Sequence, residues 1–250
     1  MKKIFKFLTL AFIALLTIAC GNDSNKGSTV TNLKVGIAPN YKPFDYKIDS
    51  KLTGFDVDLV EEIAKKNNFK ITWVEANFDG LIPALKAEKI DMIASGMSAT
   101  DERRQNVDFT KPYFKSKNLY IKLKANDALN SKNDLEGKKI GVMLGTLQED
   151  AAKKIKDAEI QSNKDLNIAI LALKNNKIDA IVMDQDVAKG FLAENPELIT
   201  FYQEDDDSEG FSFAFDKNKH KEILSQFNKS IDELKAGGFY KKLLEKYGLE

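Results

Sequence analysis

The sequence predicts an α/β chain folded as two related lobes, each a parallel or mixed sheet flanked by helices. Three observations carry this. "ALKAEKIDMIAS", residues 84–95, returns as "ALKNNKIDAIVMD", residues 172–184, at a constant offset of 88 residues. "KVGI" at residues 34–37 is echoed by "KIGV" at residues 139–142, again ahead of its copy of the longer motif. Strand and helix patterns alternate within each half, which implies sheets covered on both faces. A chance likeness between two joints built of common residues is the competing explanation, and two echoes in one order favour relatedness.

The first lobe opens at "LKVGIA", residues 33–38, a short apolar strand. "TGFDVDLVEEIAKKNNF" follows, with Val57, Leu59, Val60, Ile63 and Ala64 on one helical face and Asn67 as its stop. "ITWVEA" is the next strand, Leu81 to Leu85 a helix, and "IDMIAS" a strand. The second lobe repeats the order: strand "KKIGVMLGT", helix "QEDAAKKI", a weak strand near residues 158–161, then the repeated helix and strand. In the remainder, Ile223, Leu224, Phe227, Ile231 and Leu234 form a helical stripe that Gly237-Gly238 stops, and a last short helix begins at Phe239. These faces need a partner, so the chain is expected to recross and pack its tail on the first lobe. The expected crossings are near residues 115–118 and 205–209, which gives one lobe of residues 33–115 plus 209–250 and another of 116–208.

Lys+Arg and Asp+Glu both count 38 in 250 residues, so no basic excess points to nucleic acid. The N-terminal "MKKIFKFLTLAFIALLTIAC" has three lysines, no acid and an apolar run at residues 7–19, the pattern of a secretory signal over residues 1–19. Cys20 is the single cysteine, so no internal disulfide forms and its thiol needs another use. "TIAC" resembles a bacterial lipobox, with Thr17 in place of the usual Leu, which implies a lipid on Cys20; an incidental Cys after a plain signal peptide is the alternative. Residues 20–32 have almost no apolar side chain and read as a flexible tether. The expected product is an extracytoplasmic, monomeric globular protein tied to a membrane by its N-terminus.

In open α/β sheets, ligands sit beyond the carboxyl ends of the strands. That rule selects Tyr41 after the first strand, the loop Ser95-Gly96-Met97-Ser98 leading to Arg103, "GTLQ" with Thr146 and Leu147, and Asp184. Arg103 presents a planar fork for a carboxylate. The backbone N–H groups of the "GTLQ" loop, which opens a helix, can receive the same anion. Asp184 can accept from an ammonium, and Tyr41 and Phe78 can wall the ligand. Each has a plainer use: Arg103 as a solvated helix charge, Asp184 as a helix cap, Tyr41 and Phe78 as core aromatics.

"GFDVDLVEEIA", "APNYKPFDY", the long block at residues 78–114, "GVMLGTLQE" and "GGFYKKLLEKYG" together resemble, in order, the blocks of the polar amino-acid family of bacterial extracellular solute-binding proteins. The resemblance spans the chain from about Leu33. It implies a two-lobed, periplasmic-binding-protein-like flytrap that presents a captured amino acid to an ABC importer permease. It also implies that Arg103, helped by Ser98, the Gly96 backbone and the N–H groups of Thr146 and Leu147, holds the α-carboxylate. Asp184 then holds the α-amino group. The chain departs from relatives that bind basic amino acids at Ala38, Met143 and Met183, which favours a neutral ligand; Glu75, Asp79 or Gln148 could reverse this. No cofactor or metal is expected. An enzyme on this fold would have to work through acids such as Glu75 or Asp79, because His220, the single histidine, lies on the terminal helix. A ligand-sensing lipoprotein would need a separate signalling partner. The acidic run at residues 204–207 lacks the spacing of a calcium loop and reads as solvated.

Overall fold

A computed structural model describes residues 31–249. The expected signal segment, Cys20 and the tether as far as residue 30 lie outside the described residues. The first strand, β1 (Thr31–Ile37), takes in the last two residues of the expected tether. Thr31 and Asn32 pair with Phe69 and Lys70, because a ladder uses backbone groups and is indifferent to side-chain polarity.

A small hairpin, β2 (Tyr46–Ile48) and β3 (Lys51–Thr53), precedes helix α1 (Phe55–Asn67). Gly54 enters that helix at φ 137°, and a Cβ there would lie 2.1 Å from the Phe44 carbonyl oxygen, so no other residue fits. Asp56 and Asp58 in the first turn and Lys65 and Lys66 in the last complement the helix dipole, and Asn68 closes it in the left-handed conformation. Next come β4 (Phe69–Glu75), α2 (Leu81–Lys86), β5 (Met92–Ile93), α3 (Asp101–Arg104) and β6 (Val107–Phe109).

The chain then enters a second sheet through β7 (Lys117–Leu123), β8 (Lys139–Met143), α4 (Leu147–Lys153), β9 (Glu159–Asn163), α5 (Leu166–Lys174), β10 (Ala180–Asp184), α6 (Gln185–Glu194) and β11 (Leu198–Asp205). It returns for β12 (Ala214–Asp216), α7 (Lys221–Ala236) and α8 (Phe239–Tyr247). The sheet orders are β4-β1-β5-β12-β6 and β11-β7-β10-β8-β9. Both are mixed: β12 runs antiparallel to β5 and β6, and β7 antiparallel to β10 and β11. The two connecting segments lie side by side, with Phe211 N–H donating to Phe114 O and Tyr113 N–H to Phe211 O, each at 2.8 Å.

The repeat has a physical cause. In the first copy the Asp91 carboxylate accepts from Lys34 N–H, and in the second the Asp179 carboxylate accepts from Lys139 N–H, each at 2.8 Å. Lys34 and Lys139 return the favour, each carbonyl accepting from that aspartate's own N–H at 2.8 Å. Ile90 covers Gly36 and Ile178 covers Gly141 so closely that a Cβ on either glycine would sit 2.4 or 2.6 Å from the isoleucine's Cδ1. Glu88 and Asn176 both take the left-handed conformation that ends the helix. Lys-Ile-Asp is therefore a clip that fastens a helix–strand joint to the neighbouring parallel strand of its sheet.

Helices α7 and α8 lie on α1, and Phe227 stacks on Phe69 with centroids 6.1 Å apart while meeting Phe213 and Phe215 edge-on. A buried aromatic of this size contributes about 1.5–3 kcal/mol. Among the described residues, no helix is long and apolar enough to cross a membrane.

Candidate functional site

The first lobe delivers its side chains through two turns. A tight turn hydrogen-bonds Tyr41 N–H to Asp45 O at 2.7 Å and lays the Tyr41 ring over Gly96. Gly96 has φ 52°, and a Cβ on it would stand 3.4 Å from the ring carbons. Beyond it, Thr100 caps α3 by accepting from Arg103 N–H at 3.2 Å, and this aims the guanidinium into the cleft. There Arg103 lies 5.5 Å from the Phe78 ring centroid and donates to Ser98 O at 2.9 Å and Gly145 O at 3.0 Å.

The second lobe answers from two strand ends. After β8, Gly145 turns at φ 80° with its α-carbon facing the Asp79 backbone of the other lobe. Thr146 caps α4: its hydroxyl accepts from Glu149 N–H and donates to Met143 O at 2.7 Å. Asp184 ends β10, and its Oδ2 accepts from the Tyr41 hydroxyl across the cleft. Its Oδ1 is buried with no hydrogen-bond partner. A third link, Asn40 Nδ2 to Lys164 O at 3.0 Å, joins the same lips.

Tyr41, Phe78, Gly96, Ser98, Arg103, Thr146, Leu147 and Asp184 wall one cavity, together with Gln148. The walls nearly meet, leaving about 10 Å³ of free space, roughly one water position. Ser95 and Met97 are not on the wall. The Ser95 hydroxyl accepts from Ala38 N–H at 3.0 Å, and Met97 packs into the core beside Leu81 and Ile93. The Gly96 N–H is likewise taken, by the Asp56 carboxylate at 2.7 Å, so only its carbonyl remains for a ligand.

The sequence reading passed over Asn118, which lies opposite Asp184 in the β7–β10 register and accepts from Gln148 Nε2 at 2.9 Å. Residues 115–118 read as a crossing, and only an alternation seen from the neighbouring strand would have marked Asn118 as inward-facing. Glu75 pairs with Lys47 at 2.6 Å, and neither it nor Asp79 is on the cavity wall. His220 sits against Phe215, and the acidic run divides among Lys132, Lys117 and Ser208. Among the described residues, no three His, Cys, Asp or Glu side chains are grouped to hold a metal ion.

Burial, then the charges of Asp206 and Asp186, pushes the Asp184 carboxyl well above the usual carboxylate range. Burial also lowers Arg103 to about 10, opposed by Asp150, Glu102 and Asp206. The site thus holds one fixed cation amid several acids, with an unpartnered carboxylate oxygen on the opposite wall. Such a pair can grip the two ends of a zwitterion.

Residues 33–250 match the family model of bacterial extracellular solute-binding proteins, family 3. The chain is 70% identical, over the whole of both sequences, to a probable histidine-binding protein of Campylobacter jejuni. It is 32% identical to the arginine-binding extracellular protein ArtP of Bacillus subtilis, over 99% of this chain and 98% of that one. Among solved structures, an ancestral arginine-binding protein bound to arginine superposes with a TM-score of 0.82 at 36% identity, over 86% of this chain and 97% of that one. These relatives are named as binding proteins and not as enzymes.

Proposed function

The chain belongs to the bacterial extracellular solute-binding proteins of family 3, and on that premise we propose that it captures a free basic amino acid between its lobes for an ABC importer. One observation carries the proposal: Arg103 and the unpartnered Asp184 oxygen stand on opposite walls of a single cavity. In this reading the α-carboxylate takes the Arg103 fork, displacing its bonds to the Ser98 and Gly145 carbonyls, and the backbone N–H groups of Thr146 and Leu147 add to it. The α-ammonium takes Asp184. Leaving a buried carboxylate unpaired costs about 2–5 kcal/mol, so both grips are needed.

The basic class follows from the acids around the site and from relatives named for histidine and arginine. The expected neutral preference loses its footing, since Met143 and Met183 are core side chains and Ala38 is buried behind the wall. The moving units are residues 33–115 with 209–250 and residues 116–208, hinged at the paired segments around Phe114 and Phe211. Ligand contacts come from both lobes only when they meet, so binding shifts the population toward the closed form. A lipid on Cys20 would keep the receptor beside its permease.

A thermal-shift screen of the common amino acids tests this. L-arginine, L-lysine or L-histidine is expected to raise the melting temperature with the logarithm of its concentration. A rise only with neutral or acidic amino acids would reject the basic class, and no rise with any would reject capture.

A further inference from the structure

We propose that Asp45 and Asp56 share one proton and together position the Gly96 loop, so that ligand capture is linked to a proton held beneath the cleft. The link to capture rests on the Gly96 loop being a ligand lip; the proton-sharing itself does not.

The geometry begins with the backbone. Pro43 O accepts from Phe55 N–H at 3.0 Å and Phe44 O from Asp56 N–H at 2.9 Å, which lays residue 45 beside residue 56. Both aspartates are 0% exposed. Asp56 Oδ2 accepts from Gly96 N–H at 2.7 Å and from the Tyr113 hydroxyl at 2.8 Å. Asp56 Oδ1 has no hydrogen-bond partner, and the Ser95 hydroxyl is the polar group set against Asp45. The groups facing the pair are the Ser95 hydroxyl from the loop after β5, Tyr113 from the first crossing and Tyr240 from α8, whose hydroxyl donates to Tyr113 O. Among the described residues, no lysine, arginine or histidine forms an ion pair with either carboxyl.

Two adjacent buried carboxyls without a counter-charge do not both ionise. A shared proton serves the oxygens that lack partners, while the ionised member keeps its grip on the Gly96 N–H. Burial raises Asp56 to about 7, its bonds from Gly96 and Tyr113 limiting the rise. Burial, then the charge of Asp56, raises Asp45 well above the carboxylate range. Since both folded values exceed the unfolded ones, the stability they confer is full below the unfolded carboxylate pKa of about 4. It is lost as pH rises from there, the Asp56 share being gone by about pH 7 and the Asp45 share at its own raised folded value. Loss of the shared proton sets two charges against each other and loosens the support under Gly96.

The test compares wild type with D45N, whose amide can donate to Asp56 without a titrating proton. In ligand-free protein, the wild-type melting temperature should fall by several degrees between roughly pH 6 and pH 8.5, and the D45N profile should be flatter. Asp184 titrates in the same direction in both proteins, so the difference between them isolates the pair. Relative to that of D45N, which carries the same Asp184 titration, the wild-type dissociation constant for L-arginine should rise about tenfold over the same range. Equal melting slopes in the two proteins would overturn the shared proton, and equal affinity slopes would overturn its link to capture. If L-arginine binds neither protein, the ligand assignment fails while the melting comparison still decides this proposal. Should D45N not fold, carboxyl-carbon NMR of aspartate-labelled wild type decides it: an Asp45 carboxyl fully ionised at neutral pH would refute the pair.

Discussion

The two copies of the Lys-Ile-Asp joint are built alike and finish differently. Up to the strand, each uses the same clip: an isoleucine over a glycine and an aspartate bonded to a lysine N–H of the neighbouring strand. Beyond the strand they part. The first copy runs into Ser95 and Gly96, whose polar groups are committed inward to Ala38 and Asp56, and the Ser98 carbonyl beyond them meets Arg103. The second runs into Asp184, which keeps one oxygen buried and unpartnered. Duplicated packing therefore fixes where a lip stands, and the residues at the end of the strand decide which polar groups it presents.

Three sets of substitutions sharpen or break this comparison, and the largest effect is expected at the lips themselves. Asp184→Asn should weaken binding of the cognate amino acid by two or more orders of magnitude in titration calorimetry, since a buried charge pair loses about 2–5 kcal/mol when one partner is neutralised. Arg103→Ala should cost a similar amount. An unchanged affinity in either would show that the lip is not gripping the ligand. In wild type, binding an ammonium favours the ionised Asp184. Its raised pKa therefore predicts proton release on binding and an affinity that weakens as pH falls through that value.

The clip is the middle test. Gly36→Ala and Gly141→Ala each push a methyl onto an isoleucine Cδ1, and each should cost about 1–3 kcal/mol in denaturant unfolding. Ile178→Val, which removes that Cδ1, should relieve Gly141→Ala in a double-mutant cycle. Additive effects would mean the contact is not the cause. The smallest change is expected for Asp91→Asn and Asp179→Asn. The amide oxygen still accepts the strand N–H, so the loss should stay near 0.5–1 kcal/mol and be alike in both lobes. A much larger loss in one lobe would show that the two clips are not equivalent.

The repeat, the alternation of strands and helices and the striped tail were legible because each is a local pattern with its own period. The strands that the sequence does not show are β2, β3, β6, β7, β11 and β12, all partners of other strands in antiparallel registers. Their short or polar runs mean little until a neighbour is known. The same limit applies to the site. Arg103, Thr146 and Asp184 stand at helix starts and strand ends that sequence can locate, and the structure brings them together. Gln148 could be noted only as a residue able to change the ligand, and Asn118 not as a site residue at all.

The sequence by itself determined two α/β lobes, the joints that repeat in them, and a charged residue at the tip of each lip. Those features depend on residues close together in the chain or on periodic burial, which a string of letters records. Only the tertiary structure decided that Ser95, Met97 and the Gly96 N–H turn inward, that Met143 and Met183 belong to the core, and that Asp45 and Asp56 are both fully buried without an ion pair. Each of these depends on which way a backbone turns among distant neighbours. A buried polar group's chemistry is set by those neighbours and not by its own name.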